Sequence, residues 1–330
     1  MDIYFSDNYG KLYEELEDGV AEIFVHNDIN GCVKHQFIKR KIIPWIDGKQ
    51  FYDLVTPYGY GGPYIVELKG EKKILVESFQ KAFSKYCMDN MIVSEFVRFH
   101  PIKRNHRDFW EMYYPIFDRI TLGTNIYKYD DPVQEEFSKS CRKNIRQALN
   151  KGASYSITEA PESLADFVGV YYSTMDRNNA NDYYYFNKTY FQNLIKYFRN
   201  NILLVKVHYD NKIVAAGCYF VSDSVVHIHL SGTLSEYLWL SPAYLLRYAV
   251  TKWAKENNIT YLHHGGGRTN KTDDSLYQFK KRFAKNTEFE FYIGQKIWNK
   301  KIYDKLCNIN RKNVNSDYFP EYRIHGNNDR

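Results

Sequence analysis

The chain has 330 residues, a formal net charge of +6, 44% hydrophobic and 25% charged residues. These proportions exclude a disordered chain, and 9 Pro with 18 Gly exclude a collagenous or linker-rich one. Aromatic residues reach 17%, which suits either filled cores and half-buried strands or a cleft for sugars, nucleobases or peptides. Five scattered cysteines without a C-x-x-C pair argue against a disulfide framework or a zinc site. The longest apolar run, Ile213 to Val221, is shorter than the ~18–20 residues of a spanning helix. With no basic n-region at its start, the chain reads as cytoplasmic with no integral membrane segment.

In chain order, Ala21–Val25, Val33–Ile43 and Gln50–Thr56 read as an antiparallel group with turns at Asn30-Gly31 and Asp47-Gly48. Lys73–Met88 is helical by period and Ile92–Phe99 returns as a strand. A second round follows: strand Asp118–Tyr129, helix Gln134–Asn150, strand Tyr155–Thr158, then helices Pro161–Arg177 and Asn187–Asn200. Three strands come next (Ile202–Tyr209, Lys212–Ser222, Ser224–Ser231), turning at Asp210-Asn211 and around Asp223. Helix Ser241–Asn257, strand Thr260–His263, helix Ser275–Ala284 and strand Phe289–Ile293 complete it. A meander feeding a helix that returns to a strand predicts a mixed, mostly antiparallel α/β sheet flanked by helices. The first round resembles a partial copy, so the expected division is 1–125, 126–307 and a loose polar tail over 308–330.

Four segments stand out chemically. Thr56-Pro-Tyr-Gly-Tyr-Gly-Gly-Pro63 is either a plain turn or a loop that lets a ligand approach Tyr58, Tyr60 and Gly61. The stretch Phe137–Lys151 carries Lys139, Arg142, Lys143 and Arg146 opposite its apolar side, and it contains no acid. Such a single-sign stripe suits a phosphate, a diphosphate or an RNA backbone. Ser241-Pro242 is a helix start after a strand. His263 and His264 point to opposite faces, so no metal is expected there. In the helix that follows, Leu276, Phe279 and Phe283 form an apolar stripe, leaving Lys280 at its rim. Walker, G-x-S-x-G and G-x-G-x-x-G motifs are absent.

Together, T-P-Y-G-Y-G-G-P, C-R-K-N-I-R-Q-A-L-N-K-G at 141–152, Y-x-x-T-M-D-R-N-N-A at 171–180, G-x-x-S-E-Y…L-S-P-A-Y-L-L…W-A from 232, H-H-G-G-G and F-K-K-R-F resemble the Fem-type branch of the GNAT acyltransferases. The resemblance spans roughly residues 20–306. It implies two tandem GNAT-like units and transfer of an aminoacyl or acyl group to an amine of a cell-wall or surface-polysaccharide precursor, with the acceptor in a cleft between the units. Aminoacyl-tRNA is the favoured co-substrate and acyl-CoA the runner-up, with no permanently bound cofactor. A non-catalytic RNA- or sugar-binding protein on this fold is the remaining alternative.

By the same resemblance, Lys280, Phe279 and Asp273 are the catalytic candidates. Tyr58, Tyr60, Gly61, Arg142, Arg146, Asp176, Arg177 and His264 are candidates for a nucleotide- or diphosphate-linked sugar or muropeptide acceptor, and Gly232, Ser241 and Tyr244 for the donor. Two features depart from the pattern: there is no long coiled-coil arm, and no Q/R-x-x-G-x-G/A loop precedes the central helix.

Overall fold

The computed structural model describes residues 1–309 and 318–324. The chain divides into two compact units. The first takes Asp7–Asp118 and the described residues from Phe291 onward; the second takes Met1–Ser6 and Arg119–Glu290. The division thus falls at 118/119 rather than 125, and each unit borrows a distant stretch of chain.

In the first unit, β1 (Gly19–Asp28), β2 (Gly31–Lys41) and β3 (Tyr52–Val55) form the expected antiparallel group. A short exposed strand absent from the sequence reading, β4 (Tyr64–Leu68), also pairs with β2. Helix α1 (Lys72–Asp89) then leads to β5 (Ile92–Arg98), which pairs parallel to β3. Leu75, Phe79, Phe83 and Cys87 recur every four residues along α1 and are fully buried against Phe37, Leu54, Val97 and Phe99. A one-turn helix, α2 (Trp110–Tyr113), precedes the second unit.

The second unit begins its sheet with β6 (Ile116–Asn125). The single helix expected over Gln134–Asn150 is two: α3 (Pro132–Glu136) and α4 (Lys139–Asn150). Ser138 is extended between them, and its hydroxyl accepts the Cys141 N–H at 3.2 Å. Strand β7 (Ser154–Glu159), α5 (Ala165–Arg177) and α6 (Lys188–Phe198) lead into the meander β8 (Ile202–Tyr209), β9 (Lys212–Ser222) and β10 (Val225–Thr233). Then come α7 (Pro242–Glu256), β11 (Tyr261–Gly265) and α8 (Ser275–Lys281); β12 (Glu288–Ile297) begins here and from Phe291 belongs to the first unit, where it pairs antiparallel to β5. The strand order within this unit is β6-β11-β10-β9-β8-β7, antiparallel except for β10/β11.

Each unit therefore contains one strand–helix–strand crossover with a parallel pair: β3-α1-β5 and β10-α7-β11. That repeat is the structural content of the tandem arrangement. The expected loose tail is corrected where it is described. Residues 308–309 end α9 (Lys300–Ile309), and Tyr322 is buried against Tyr303 in the first unit. Arg323 binds the buried Asp53 carboxylate, which also pairs with Arg40 at 2.9 Å. The remainder of the tail, 310–317 and 325–330, lies outside the described residues.

Candidate active site

The parallel pair of the second unit is held together over only three residues, Val225↔Tyr261, Val226↔Leu262 and His227↔His263. Beyond them β10 runs on to Thr233, and irregular register follows at Ile228/Leu230 and at His263/Gly265. The two strands thus stop sharing hydrogen bonds at His227 and His263, beside the helix α7 that joins them. Along β11, alternation sends the adjacent His263 and His264 to opposite sides. His263 Nε2 lies 3.0 Å from Thr121 Oγ1, whereas His264 meets Thr124 and lies 6.0 Å from the Phe283 ring.

The His264 tautomer follows from its partner. Thr124 donates its hydroxyl proton to the Phe283 carbonyl at 2.7 Å, so its oxygen accepts Nε2–H of His264 at 2.9 Å. Nδ1 is left as a buried lone pair with no partner among the described residues. Burial, with Arg247 and Lys280 adding positive charge, holds this imidazole well below its usual pKa and keeps it neutral.

Lys280 sits on α8, half-buried, with Nζ donating to the Gly266 carbonyl at 2.6 Å. Desolvation chiefly, then the like charges of Arg247 and Arg119, lower its pKa from 10.5 to about 7, with Asp274 opposing. Arg247 is 5% exposed, donates Nη1–H to Tyr219 Oη at 3.4 Å, and has an Nε–H with no partner. No carboxylate pairs with Arg247 among the described residues. A buried cation so placed favours a neutral neighbour or an anionic ligand group. Phe279 packs edge-on to Tyr244 at 5.6 Å, and the Tyr244 hydroxyl accepts from Arg282 at 2.5 Å. The fold thus gathers Tyr244, Arg247, His264, Phe279 and Lys280 where α7, the end of β11 and α8 meet. The arrangement offers a positive, partly desolvated donor set for a developing oxyanion and one imidazole lone pair for a substrate N–H.

The sequence profile of the acetyltransferase (GNAT) domain matches residues 139–281, a stretch that includes all five of these side chains. Residues 139–281 are thus GNAT-like in sequence. It is 22% identical over 200 residues to a UDP-N-acetylmuramoylpentapeptide-lysine N(6)-alanyltransferase of Weissella viridescens, covering 59% of this chain. The match spans 58% of that relative's length. The fold is similar to the crystal structure of a FemX, with a TM-score of 0.68, 13% identity and coverage of 92% and 94% of the two chains. It is also similar to the C-terminal domain of a putative lysylphosphatidylglycerol synthetase from Agrobacterium fabrum, at TM-score 0.57, 10% identity and 89% coverage of each. The GNAT resemblance over residues 139–281 and the mixed sheet of a FemX-like fold are thereby borne out. No helix among the described residues is long and apolar enough to cross a membrane.

Other residues singled out by sequence have mostly structural partners. Arg142 turns its guanidinium back onto the carbonyls of Gln134, at 2.9 Å, and Phe137. Arg146 remains exposed on α4. Asp176 accepts from Tyr185 Oη at 3.0 Å, and Arg177 donates to the Thr233 carbonyl at 2.6 Å. At Gly232 a Cβ would stand 2.4 Å from the Val170 carbonyl oxygen, so this glycine admits the backbone of α5. Ser241 does precede α7, but with φ of 56° and no side-chain cap bond. Asp273 is exposed; its neighbour Asp274 accepts from Tyr277 N at 2.8 Å and Arg268 N at 3.1 Å, fixing the loop before Lys280.

In the first unit, the Tyr58 carbonyl accepts from Tyr9 Oη at 2.8 Å and the Tyr60 ring lies 5.6 Å from His100. Gly61 N–H donates to the Arg98 carbonyl at 2.7 Å, so this loop is tied down. Arg247 escaped the sequence reading. Its signal was a lone cation among Leu245, Leu246, Ala249 and Val250, on a helix whose other buried side chains carry no charge.

Proposed function

We propose that this chain is an aminoacyltransferase that moves an alanyl-type group from aminoacyl-tRNA to the lysine side-chain amine of a UDP-linked muramoyl pentapeptide. The relationship to the Weissella viridescens alanyltransferase carries the reading, and the FemX-like fold over most of the chain is consistent with it. In the step itself the neutral amine attacks the ester carbonyl and a C–N bond forms. The carbonyl oxygen becomes an oxyanion, and collapse breaks the ester C–O bond, the amine proton passing to the departing oxygen. Lys280 as the ammonium supports the oxyanion, the neighbouring charge of Arg247 reinforces it, and Phe279 with Tyr244 walls the site. His264 Nδ1 accepts an N–H of a substrate. The acceptor is held by its anionic UDP moiety, and transfer takes place in the cytoplasm, where aminoacyl-tRNA is available.

One observation bears on the donor. The segment between β10 and α7 is a 3-10 turn, Ser235–Leu240, rather than a glycine-rich phosphate loop. That favours a tRNA ester over a CoA thioester. The test is purified protein with UDP-muramoyl pentapeptide and either alanyl-tRNA or acetyl-CoA, followed by intact-mass analysis of the acceptor. One added alanyl residue supports the reading; acetylation alone overturns it.

A further inference from the structure

The basic side of α4 is only partly used by the fold. Arg142 is committed to backbone carbonyls, but Lys139, Lys143 and Arg146 are exposed and fall at i, i+4 and i+7, on one stripe. The stripe runs about 10 Å along the helix axis. At the C-terminal end of α4, Lys151 lies 4.8 Å over the ring of Trp239. Trp239 and Leu238 are 54% and 50% exposed on the 3-10 turn, and Trp239 stands edge-on to Tyr209 at 5.5 Å. This turn leads directly into Pro242 and then Tyr244, which packs on Phe279 beside Lys280. One surface of the second unit therefore joins a single-sign cationic stripe, an exposed aromatic platform and the start of α7 in that order.

We infer that this surface docks the RNA of the donor. Lys139, Lys143 and Arg146 bind the phosphate backbone, and Trp239 with Leu238 supports unpaired bases of the 3′ end as it passes to Lys280. Phosphates are met by exposed cations, bases by a ring face, and the two lie in the sequence that an RNA end leading to a reaction centre requires. Glu236 is the acid of the turn, and no acid lies on α4 to oppose the stripe. The inference rests on the proposed aminoacyl-tRNA donor, and it moves Arg146 from the acceptor to the RNA.

The experiment compares wild type, Lys139→Gln/Lys143→Gln/Arg146→Gln and Trp239→Ala by tRNA binding over a salt series and by steady-state transfer. The triple variant is expected to bind tRNA at least tenfold more weakly, with a salt slope smaller by about 2–3. Its KM for tRNA rises, while kcat and the KM for UDP-muramoyl pentapeptide hold. Trp239→Ala is expected to weaken binding about tenfold with the salt slope unchanged. Wild-type transfer from alanyl-tRNA with unaltered binding by both variants overturns the docking surface and leaves the function intact. A raised acceptor KM with unchanged tRNA binding also overturns it, returning the stripe to the acceptor's diphosphate. Absence of transfer from alanyl-tRNA by wild type overturns the donor reading itself.

Discussion

Replacing Lys280 by Met separates catalysis from stability, because the two effects have opposite signs. One Nζ proton is held by the Gly266 carbonyl at 2.6 Å, and an ammonium has two more to give. Loss of an oxyanion donor costs on the order of 10²–10³ in kcat, roughly 2.7–4 kcal/mol, with little effect on substrate binding. Stability should move the other way. The folded pKa of about 7 lies below 10.5, so between those values the unfolded chain binds more protons. Lys280 therefore penalises folding fully below the folded pKa, and the penalty fades as pH rises toward the unfolded one. Lys280→Met removes it: the variant should melt at or above wild type near neutral pH, the gap narrowing toward about pH 10. Lys281→Met is the control, since Lys281 pairs with Glu288 at 2.5 Å on the surface, a bond worth about 0–1 kcal/mol. Single-turnover transfer and thermal unfolding read both effects. Equal, near-wild-type rates from the two variants would refute the assignment, and a Lys280→Met protein much less stable than wild type would refute the desolvation argument.

Arg247→Met removes a like charge from Lys280, so the alkaline fall of the pH–rate profile, expected near 7 in wild type from loss of the Lys280 proton, should move upward; Arg247→Lys should restore it. Arg142→Ala should lower unfolding free energy by about 1.5 kcal/mol, the lower end for a charged hydrogen bond, and leave the acceptor KM unchanged, as denaturant melts and kinetics would register. Gly232→Ala drives a methyl to 2.4 Å from a backbone oxygen and should cost about 1–3 kcal/mol in a thermal melt, the range of an overpacked core.

What the sequence made legible was local. Asp47-Gly48 and Asp210-Asn211 read as turns because these residues tolerate the left-handed region, and all four take it, with φ of 51°, 70°, 50° and 57°. Helix α1 read correctly because its buried residues keep one period. The same logic failed at α4: Phe137 stands four residues before Cys141, so the apolar period ran through the extended Ser138 and hid the break. Strand β4 is short and mostly exposed, giving no alternation to detect. The borrowed segments were invisible because their contacts are distant. Asp2 meets His227 at 2.9 Å, and Tyr322 meets Ser94 at 2.6 Å.

The site divided in the same way. Lys280 and Phe279 were visible in a motif, and Tyr244 and His264 in neighbouring ones. Arg142 resembled an anion ligand because composition cannot show that its guanidinium is already taken by carbonyls. Arg247 was passed over because one cation among buried apolar neighbours gives no pattern, although burial without a carboxylate partner among the described residues is a costly arrangement.

The central claim is aminoacyl transfer, and a competition measures it most directly. Differently labelled alanyl-tRNA and acetyl-CoA are mixed in one reaction with UDP-muramoyl pentapeptide and the wild-type protein, and the product is fragmented to locate the label. Aminoacyl transfer through Lys280 places the alanyl label on the lysine side-chain nitrogen, appearing at wild-type rate only while Lys280 is present. An acetyl label at that nitrogen, or an alanyl label whose appearance is indifferent to Lys280→Met, would contradict it.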